Sequence, residues 1–265
     1  MSSTVCEWAW RGRPVSIEYQ WVGAAADAGQ DAPVWVFLHE GLGSVAMWRD
    51  FPSRLCAALG VRGLVYSRPG YGASTPRAWD EVWGPDFMHQ QALEVLPALL
   101  TSLGVDVQAH PPYLFGHSDG GSIALIHAAH RPEAVSGIVV LAPHIMVEDV
   151  SIRSIAAAKQ AYLTTDLKHK LARYHHDPDS AFWGWNGVWL SPAFRSWQLN
   201  HEIHHLRCPV LAIQGLDDEY GTLAQIRDIA QAAPQTQLLE LPQCGHSPHK
   251  DQAEAVMAAV QAWRC

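Results

Sequence analysis

Six short apolar runs, each bounded by glycine or proline, alternate along this chain with stretches that have apolar residues at helical spacing. The runs occupy residues 34–38, 63–66, 113–115, 137–141, 210–214 and 238–241. Strands covered by helices on both faces are apolar throughout, so the pattern predicts parallel strands joined by helical crossovers. Residues 5–22 add an antiparallel hairpin at the sheet edge. We therefore expect an α/β fold with a mainly parallel, eight-stranded sheet flanked by helices.

The alternation breaks between residues 144 and 206, where no convincing strand pattern occurs. Residues 150–174 have a helical pattern, and residues 181–205 are rich in tryptophan and histidine. This predicts a helical cap (lid) at 144–206, inserted before an acid-bearing strand, on a core domain formed by 1–143 and 207–265.

Composition limits the partners and the compartment. Hydrophobic residues make up 48 % of the 265, enough for a large core, and the formal net charge is -8 with no basic run. Nucleic acid and anionic membranes are therefore not expected partners. Five scattered cysteines without a CxxC pair favour free thiols over disulfides or structural zinc. With no signal segment or membrane-spanning stretch visible, we expect a cytoplasmic protein. The sequence leaves open whether it forms a homodimer.

The candidate nucleophile lies in the segment Gly116-His117-Ser118-Asp119-Gly120, which has the pattern G-x-S-x-G. It follows a strand-like run and precedes a helical one. In this context the two glycines allow a sharp strand-to-helix turn that exposes the serine oxygen, and the helix start favours negative charge nearby. We expect Ser118 to be the nucleophile.

A serine hydroxyl needs a base, and the base needs an orienting acid. The run at 210–214 leads to Asp217 and Asp218, and the run at 238–241 leads to Gly245-His246. Both follow predicted strands, at the sheet edge where α/β proteins bind ligands. We expect Asp218 as the acid, with Asp217 as the alternative, and His246 as the base in preference to His249.

A glycine-rich loop, His39-Glu40-Gly41-Leu42-Gly43-Ser44, follows the first apolar run. Such a loop can turn backbone N–H groups toward a developing oxyanion. We expect the N–H groups of Gly41 and Asp119 to form the oxyanion hole.

Together, the His39–Ser44 loop, the segment Arg68-Pro69-Gly70-Tyr71-Gly72-Ala73-Ser74, the nucleophile turn, Asp218 and His246 resemble the α/β-hydrolase superfamily, over residues 34–263. The resemblance implies a serine hydrolase with a helical cap. The family loop usually reads His-Gly, whereas Glu40 occupies the glycine position here, so Leu42 stays an alternative to Gly41. Glu40 is expected either to pair with a cation or solvent, or to orient a substrate group or a water.

The cap pattern is dense in aromatic residues, with Trp183, Trp185 and Trp189 close together. Rigid aromatic walls suit a hydrophobic or aromatic acyl substrate, so we expect these residues and Glu40 to bind it; packing of the cap is the alternative. His201, His204 and His205 have helical spacing, but no carboxylate completes a familiar zinc pattern, so no metal is expected.

The leading hypothesis is therefore a cofactor-independent serine hydrolase that cleaves a carboxylic ester, thioester or lactone through an acyl-enzyme, using Ser118, His246 and Asp218. Three alternatives stay open. They are a C–C bond hydrolase acting on a ring-cleavage diketone, a non-catalytic ligand receptor, and a peptidase that would need an acidic cap residue. The acidic candidates are Glu148, Asp149, Asp166 and Glu202.

Overall fold

The computed structural model describes residues 4–23 and 34–264. Eight strands form one sheet in the order β1-β2-β4-β3-β5-β6-β7-β8. They are β1 Thr4–Trp10, β2 Arg13–Gly23, β3 Val34–Leu38, β4 Arg62–Tyr66, β5 Tyr113–His117, β6 Gly137–Leu141, β7 Val210–Gly215 and β8 Thr236–Leu241. Among the described strands, the β1–β2 and β2–β4 pairs are antiparallel and the other neighbours are parallel. The predicted edge hairpin and parallel sheet are confirmed.

Within the described residues, eight α-helical segments lie between strands and two follow the last strand. They are α1 Phe51–Leu59, α2 Phe87–Gln90, α3 Leu96–Ser102, α4 Asp119–His130, α5 Asp149–Thr164, α6 Leu167–Leu171, α7 Pro178–Trp189, α8 Ala224–Ala232, α9 Pro248–Asp251 and α10 Ala253–Arg264. Short 3₁₀ turns occur at Ala46–Trp48, Pro132–Ala134, Pro192–Phe194 and Glu202–His205. No helix within the described residues is long and apolar enough to cross a bilayer.

The sheet separates two apolar clusters. Along β3, Val36 and Leu38 face one cluster, which includes residues of α2 to α4 and of the segment 144–206, predicted as a cap and called the cap segment below. Trp35 and Phe37 face the other, with residues of α1 and α10. Because consecutive side chains of a strand point to opposite faces, burial on both sides requires the uninterrupted apolar runs seen in the sequence.

The strand order reverses at β3. From β3 the chain crosses to β4 on one side, whereas β5 pairs with β3 on the other, with Leu38 opposite Gly116. The loops after β3 and β5 therefore emerge side by side at the carboxyl edge of the sheet. Such a reversal leaves a crevice at that edge, where open α/β sheets bind ligands.

Two predicted helices are interrupted. Residues 88–103, one of the stretches with apolar residues at helical spacing, contain a π-helical turn, Gln91–Val95, between α2 and α3. Pro97 follows it and cannot donate the N–H bond of a regular α-helix. The stretch expected at 150–174 breaks at Thr165, which is extended and whose hydroxyl donates to the Ala161 carbonyl at 2.6 Å. The Thr165 N–H also donates to the Ala161 carbonyl, at 2.9 Å, so both donors of Thr165 close the last turn of α5.

The cap segment contains α5, α6 and α7, and a single antiparallel bridge between Met146 and Gln198 joins its two ends. Helix α7 begins where the Asp177 side chain accepts a bond from the Ser180 N–H at 2.9 Å, with proline in the first turn. Both features are typical of helix N-termini.

The cysteines within the described residues are free thiols. They are Cys6, Cys56, Cys208 and Cys244. Cys265 lies outside the described residues.

Candidate active site

Ser118 occupies a strained turn between β5 and α4. Its backbone has φ 52° and ψ -120°, in a region that costs a non-glycine residue on the order of 1–3 kcal/mol. The Ser118 N–H donates to the Leu141 carbonyl at 2.9 Å, which ties the turn to the end of β6. The side chain therefore lies at the carboxyl edge of the sheet, in the crevice created by the strand reversal.

Both glycines of the motif are required by close backbone approach. A Cβ atom on Gly116 would lie 2.2 Å from the carbonyl oxygen of Gly120. A Cβ atom on Gly120 would lie 2.0 Å from the carbonyl oxygen of Leu38. Neither obstacle is a flexible side chain, so any larger residue would open the turn that holds Ser118.

His246 and Asp218 form a partly buried pair. His246 Nδ1 lies 2.8 Å from Asp218 Oδ1, and the Asp218 side chain is 1 % exposed. The Tyr220 N–H also donates to Oδ1 at 2.8 Å, and Gln214 Nε2 donates to Oδ2 at 3.0 Å. Burial acts to raise the pKa of Asp218, but the bond and charge of His246 outweigh it and hold the pKa below its usual value.

The two alternative residues lie elsewhere. Asp217 is exposed, and its N–H donates to the Cys244 carbonyl at 3.0 Å. His249 is 3 % exposed and packs against Trp48, with 4.8 Å between the ring centres. Of these neighbouring residues, Asp218 and His246 are therefore the pair that geometry brings together.

Ser118 and His246 line one cavity of about 110 Å³. Its other lining residues are Glu40, Gly41, Leu42, His117, Asp119, His144, Ile155, Trp185, Trp189, Tyr220 and Ser247. The cavity is smaller than the ~300–1,000 Å³ of typical small-molecule sites. A larger cavity of about 400 Å³, lined by Trp10, Arg77 and Trp83 among others, includes none of the predicted site residues.

The two predicted oxyanion donors are adjacent to this cavity. Asp119 is the first residue of α4, so its N–H has no acceptor within the helix, and the positive end of the helix dipole lies beside Ser118. Gly41 and its alternative Leu42 both line the cavity. The Leu42 carbonyl accepts a bond from His175 Nε2 at 2.9 Å, which anchors the loop to the cap segment.

The Asp119 side chain is fully buried. Its Oδ1 accepts a bond from Trp189 Nε1 at 3.2 Å, and Arg68 Nη2 lies 4.0 Å from Oδ2. Burial raises the pKa of the Asp119 carboxyl to about 6, although Arg68 and Trp189 oppose the rise. The Trp189 indole of the cap segment therefore fixes the position of Asp119, whose N–H is a predicted oxyanion donor.

Glu40 lines the cavity and is also paired with a cation, Lys250, beside a buried histidine. Lys250 Nζ lies 3.3 Å from Oε1, and His117 Nδ1 lies 3.6 Å from Oε2. Burial acts to raise the pKa of Glu40, but Lys250, His117 and His249 together hold it well below its usual value. Both sequence interpretations of Glu40, a cation partner and a group facing the substrate, are compatible with this position.

The three predicted tryptophans divide between two faces of α7. Trp185 and Trp189 line the cavity. They are four residues apart and so share a helix face. Trp183 does not line the cavity. Its ring packs inside the cap segment, 5.5 Å from Tyr162 and 5.1 Å from Phe182, since two residues of helix turn it away from Trp185.

Three further residues surround His246 that the sequence analysis did not select. His117 Nε2 donates to the His246 carbonyl at 2.7 Å and so holds its backbone. The rings of Tyr220 and His144 lie 4.7 Å and 5.8 Å from the His246 ring. Only His117 carried a sequence signal, as a polar residue inside the nucleophile motif.

The histidines considered as metal ligands are not on an α-helix. Glu202–His205 is a 3₁₀ turn, so the α-helical arrangement considered for His201, His204 and His205 does not form. The rings of His201 and His205 are 5.2 Å apart.

The chain belongs to the alpha/beta hydrolase family, whose model matches residues 35–259. The eight-stranded sheet, with its helices on both faces, is the fold of that family.

Individual relatives include hydrolases of lipids and esters. The chain is 26% identical over 279 residues to the "sn-1-specific diacylglycerol lipase ABHD11" of Mus musculus, covering 95% of this chain and 86% of that protein. A thermophilic esterase from Thermogutta terrifontis superimposes with a TM-score of 0.72 at 18% identity, covering 99% of this chain and 98% of that one. The enol-lactonase from Burkholderia xenovorans LB400 gives a TM-score of 0.72 at 22% identity, covering 97% and 98%. The two solved structures show likeness of fold alone.

Proposed function

We propose that this protein is a serine hydrolase that cleaves small carboxylic esters, thioesters or lactones through an acyl-enzyme on Ser118. The observation that carries the proposal is the 2.8 Å bond between His246 Nδ1 and Asp218, beside the cavity that Ser118 lines. A carboxylate accepts this bond only from Nδ1–H, so the neutral ring keeps Nε2 free to accept a proton.

In the first half-reaction, His246 Nε2 takes the Ser118 hydroxyl proton while Oγ bonds to the substrate carbonyl carbon. The carbonyl oxygen gains the electron pair and is stabilised by the N–H groups of Asp119 and Gly41. The ionised Asp218 stabilises the imidazolium that results. When the tetrahedral intermediate collapses, the bond to the leaving oxygen or sulfur breaks, and His246 returns the proton to it.

In the second half-reaction, water replaces the leaving group. His246 removes one of its protons, and the resulting hydroxide oxygen bonds to the acyl carbon. The bond to Ser118 Oγ then breaks, Oγ recovers the proton from His246, and the free acid leaves. The sum is hydrolysis, with no cofactor needed to balance it.

The substrate class follows from the cavity. At about 110 Å³ it has room for a short acyl group, and Trp185, Trp189, Ile155 and Leu42 give it apolar walls. Short apolar acyl chains are therefore preferred over long ones. Similarity to a diacylglycerol lipase, at 26% identity, supports carbonyl–oxygen bond cleavage as the reaction class.

Ser118→Ala tests the proposal. On p-nitrophenyl acetate and butyrate, the wild-type protein should turn over and the variant should lose activity by at least about 10³-fold, while its circular dichroism spectrum is unchanged. A fluorophosphonate probe should label the wild type at Ser118, located by peptide mass spectrometry. Ser122→Ala, one helical turn along α4, is the matched control and should still be labelled at Ser118.

Three results would contradict the proposal. Full esterase activity in Ser118→Ala would assign the chemistry to another group. A folded wild type that neither reacts with the probe nor hydrolyses any ester, thioester or lactone would favour a ligand receptor. Turnover of an aryl diketone in strong preference to all of these would favour C–C bond hydrolysis.

A further inference from the structure

Three potential metal ligands converge on the side of α4 remote from Ser118. His89 lies on α2, His130 is the last residue of α4, and Glu202 is the first residue of a 3₁₀ turn in the cap segment. One ligand atom from each lies within 4.8 Å of the other two. Helix α4 has 12 residues, so its length separates this cluster from Ser118 by roughly 18 Å.

The spacing suits a small tetrahedral ion. Zinc bonds of ~2.0–2.1 Å in tetrahedral geometry place neighbouring ligand atoms about 3.3 Å apart. His89 Nε2 and Glu202 Oε1 already stand 3.3 Å apart. His130 is exposed, so its ring can rotate the remaining distance without disturbing the core.

The backbones that carry these side chains are held in place by buried contacts. The His127 ring, one turn before His130, donates from Nδ1 to the Ala92 carbonyl at 2.7 Å, which fixes α4 against the helix that follows His89. Ile203, next to Glu202, is 3 % exposed, and its N–H donates to the Leu199 carbonyl at 3.1 Å. The backbone segments that carry the three ligands are therefore held in fixed positions.

We propose that His89, His130 and Glu202 form a divalent transition-metal site, best suited to Zn²⁺, with water as the fourth ligand. Two imidazoles and one carboxylate are a zinc-type donor set, whereas Ca²⁺ and Mg²⁺ take mainly oxygen ligands. The ion links Glu202 of the cap segment to two helices of the core. Its distance from Ser118 makes it a stabilising element, separate from the hydrolytic reaction.

Binding is tested on the full-length protein after chelator treatment. Calorimetric titration with Zn²⁺ should give one equivalent, and Co²⁺ should give the visible absorption of tetrahedral coordination. At 100-fold excess over Kd, Zn²⁺ should raise Tm by about 5 °C or more, and EDTA should reverse the rise.

Variants identify the ligands. His130→Ala, at an exposed position, and Glu202→Gln should each weaken Zn²⁺ binding by at least about 10-fold and reduce the Tm rise by about half or more at the same Zn²⁺ concentration. The double variant His201→Ala/His205→Ala is the matched control, because both histidines are exposed in the same turn, and it should bind as the wild type does. Absence of Zn²⁺ binding, unchanged binding in His130→Ala and Glu202→Gln, or loss of binding in the control would each overturn the proposal.

Discussion

Gly41→Ala should disrupt the contact between the loop after β3 and the cap segment. A Cβ atom on Gly41 would lie 2.2 Å from Nε1 of Trp185, 2.4 Å from Cδ1 and 2.9 Å from Cε2. Ordinary carbon contacts begin near 3.5 Å, so either the indole or the loop must move by more than about 1 Å. Trp185 is 6% exposed and packs at 6.0 Å from Phe182, so its ring has little room to withdraw.

The free-energy cost of Gly41→Ala can be bounded from these distances. Overpacking of a filled site typically costs about 1–3 kcal/mol, which lowers Tm by roughly 2–12 °C in a domain of this size. If the loop is the part that yields, the Gly41 N–H moves away from the cavity. Loss of one oxyanion donor reduces kcat by ~10²–10³-fold.

Thermal unfolding and kcat on p-nitrophenyl butyrate measure the two effects. The matched control is Gly187→Ala in the same cap helix, where a Cβ atom meets nothing within 4 Å. It should leave kcat unchanged and raise stability by up to about 1 kcal/mol.

A double-mutant cycle then isolates the contact. In a Trp185→Ala background, Gly41→Ala should cost little more, because its obstacle has been removed. The steric explanation is refuted if Gly41→Ala has the Tm and kcat of the wild type. It is also refuted if Gly41→Ala lowers stability equally in the presence and absence of the Trp185 indole.

Two further predictions concern the cavity and the acid. Trp185→Ala should raise the kcat/KM ratio of octanoate to acetate esters by at least about 10-fold, because each accommodated CH₂ contributes about 0.8 kcal/mol, whereas Trp183→Ala, outside the cavity, should leave the ratio unchanged. Asp218 has a pKa below its usual 3.8 in the folded state, so its stabilisation is present above that pH and lost as the pH falls through the lower folded value. In urea unfolding between pH 3 and 6, the free energy of unfolding of Asp218→Asn should therefore fall less with decreasing pH than that of the wild type. The substitution should also lower kcat by on the order of 10⁴. Equal slopes of the free energy of unfolding against pH in the two proteins would contradict the prediction.

The strands were predictable because their environment leaves a local signature. The run expected at 137–141 coincides with β6, and the run at 238–241 starts two residues late within β8. Burial on both faces demands continuous apolar sequence, and this demand does not depend on which helix covers it. The break at Thr165 was not predictable, because an extended backbone at one residue leaves the helical spacing of the apolar residues on either side unchanged.

The position of Ser118, Asp218 and His246 relative to the sheet followed from the same signature, since each lies just after a strand. Contacts between distant segments were not accessible. The approach of Trp185 to Gly41 depends on how α7 is rotated, and the cluster of His89, His130 and Glu202 joins three separate elements. Sequence periodicity detects only residues that are close along the chain. It therefore selected His201, His204 and His205, which flank Glu202, and not His89 and His130.

In the proposed reaction, the cap helix α7 connects the size of the substrate to the stabilisation of the oxyanion. Trp185 packs on Gly41, and Trp189, one turn further on, donates to the Asp119 carboxylate. The same two indoles form walls of the acyl cavity. One helix face therefore contacts both residues whose N–H groups are proposed to hold the oxyanion. A change that shifts α7 to admit a longer acyl chain also moves the supports of these donors, so it alters kcat together with chain-length preference.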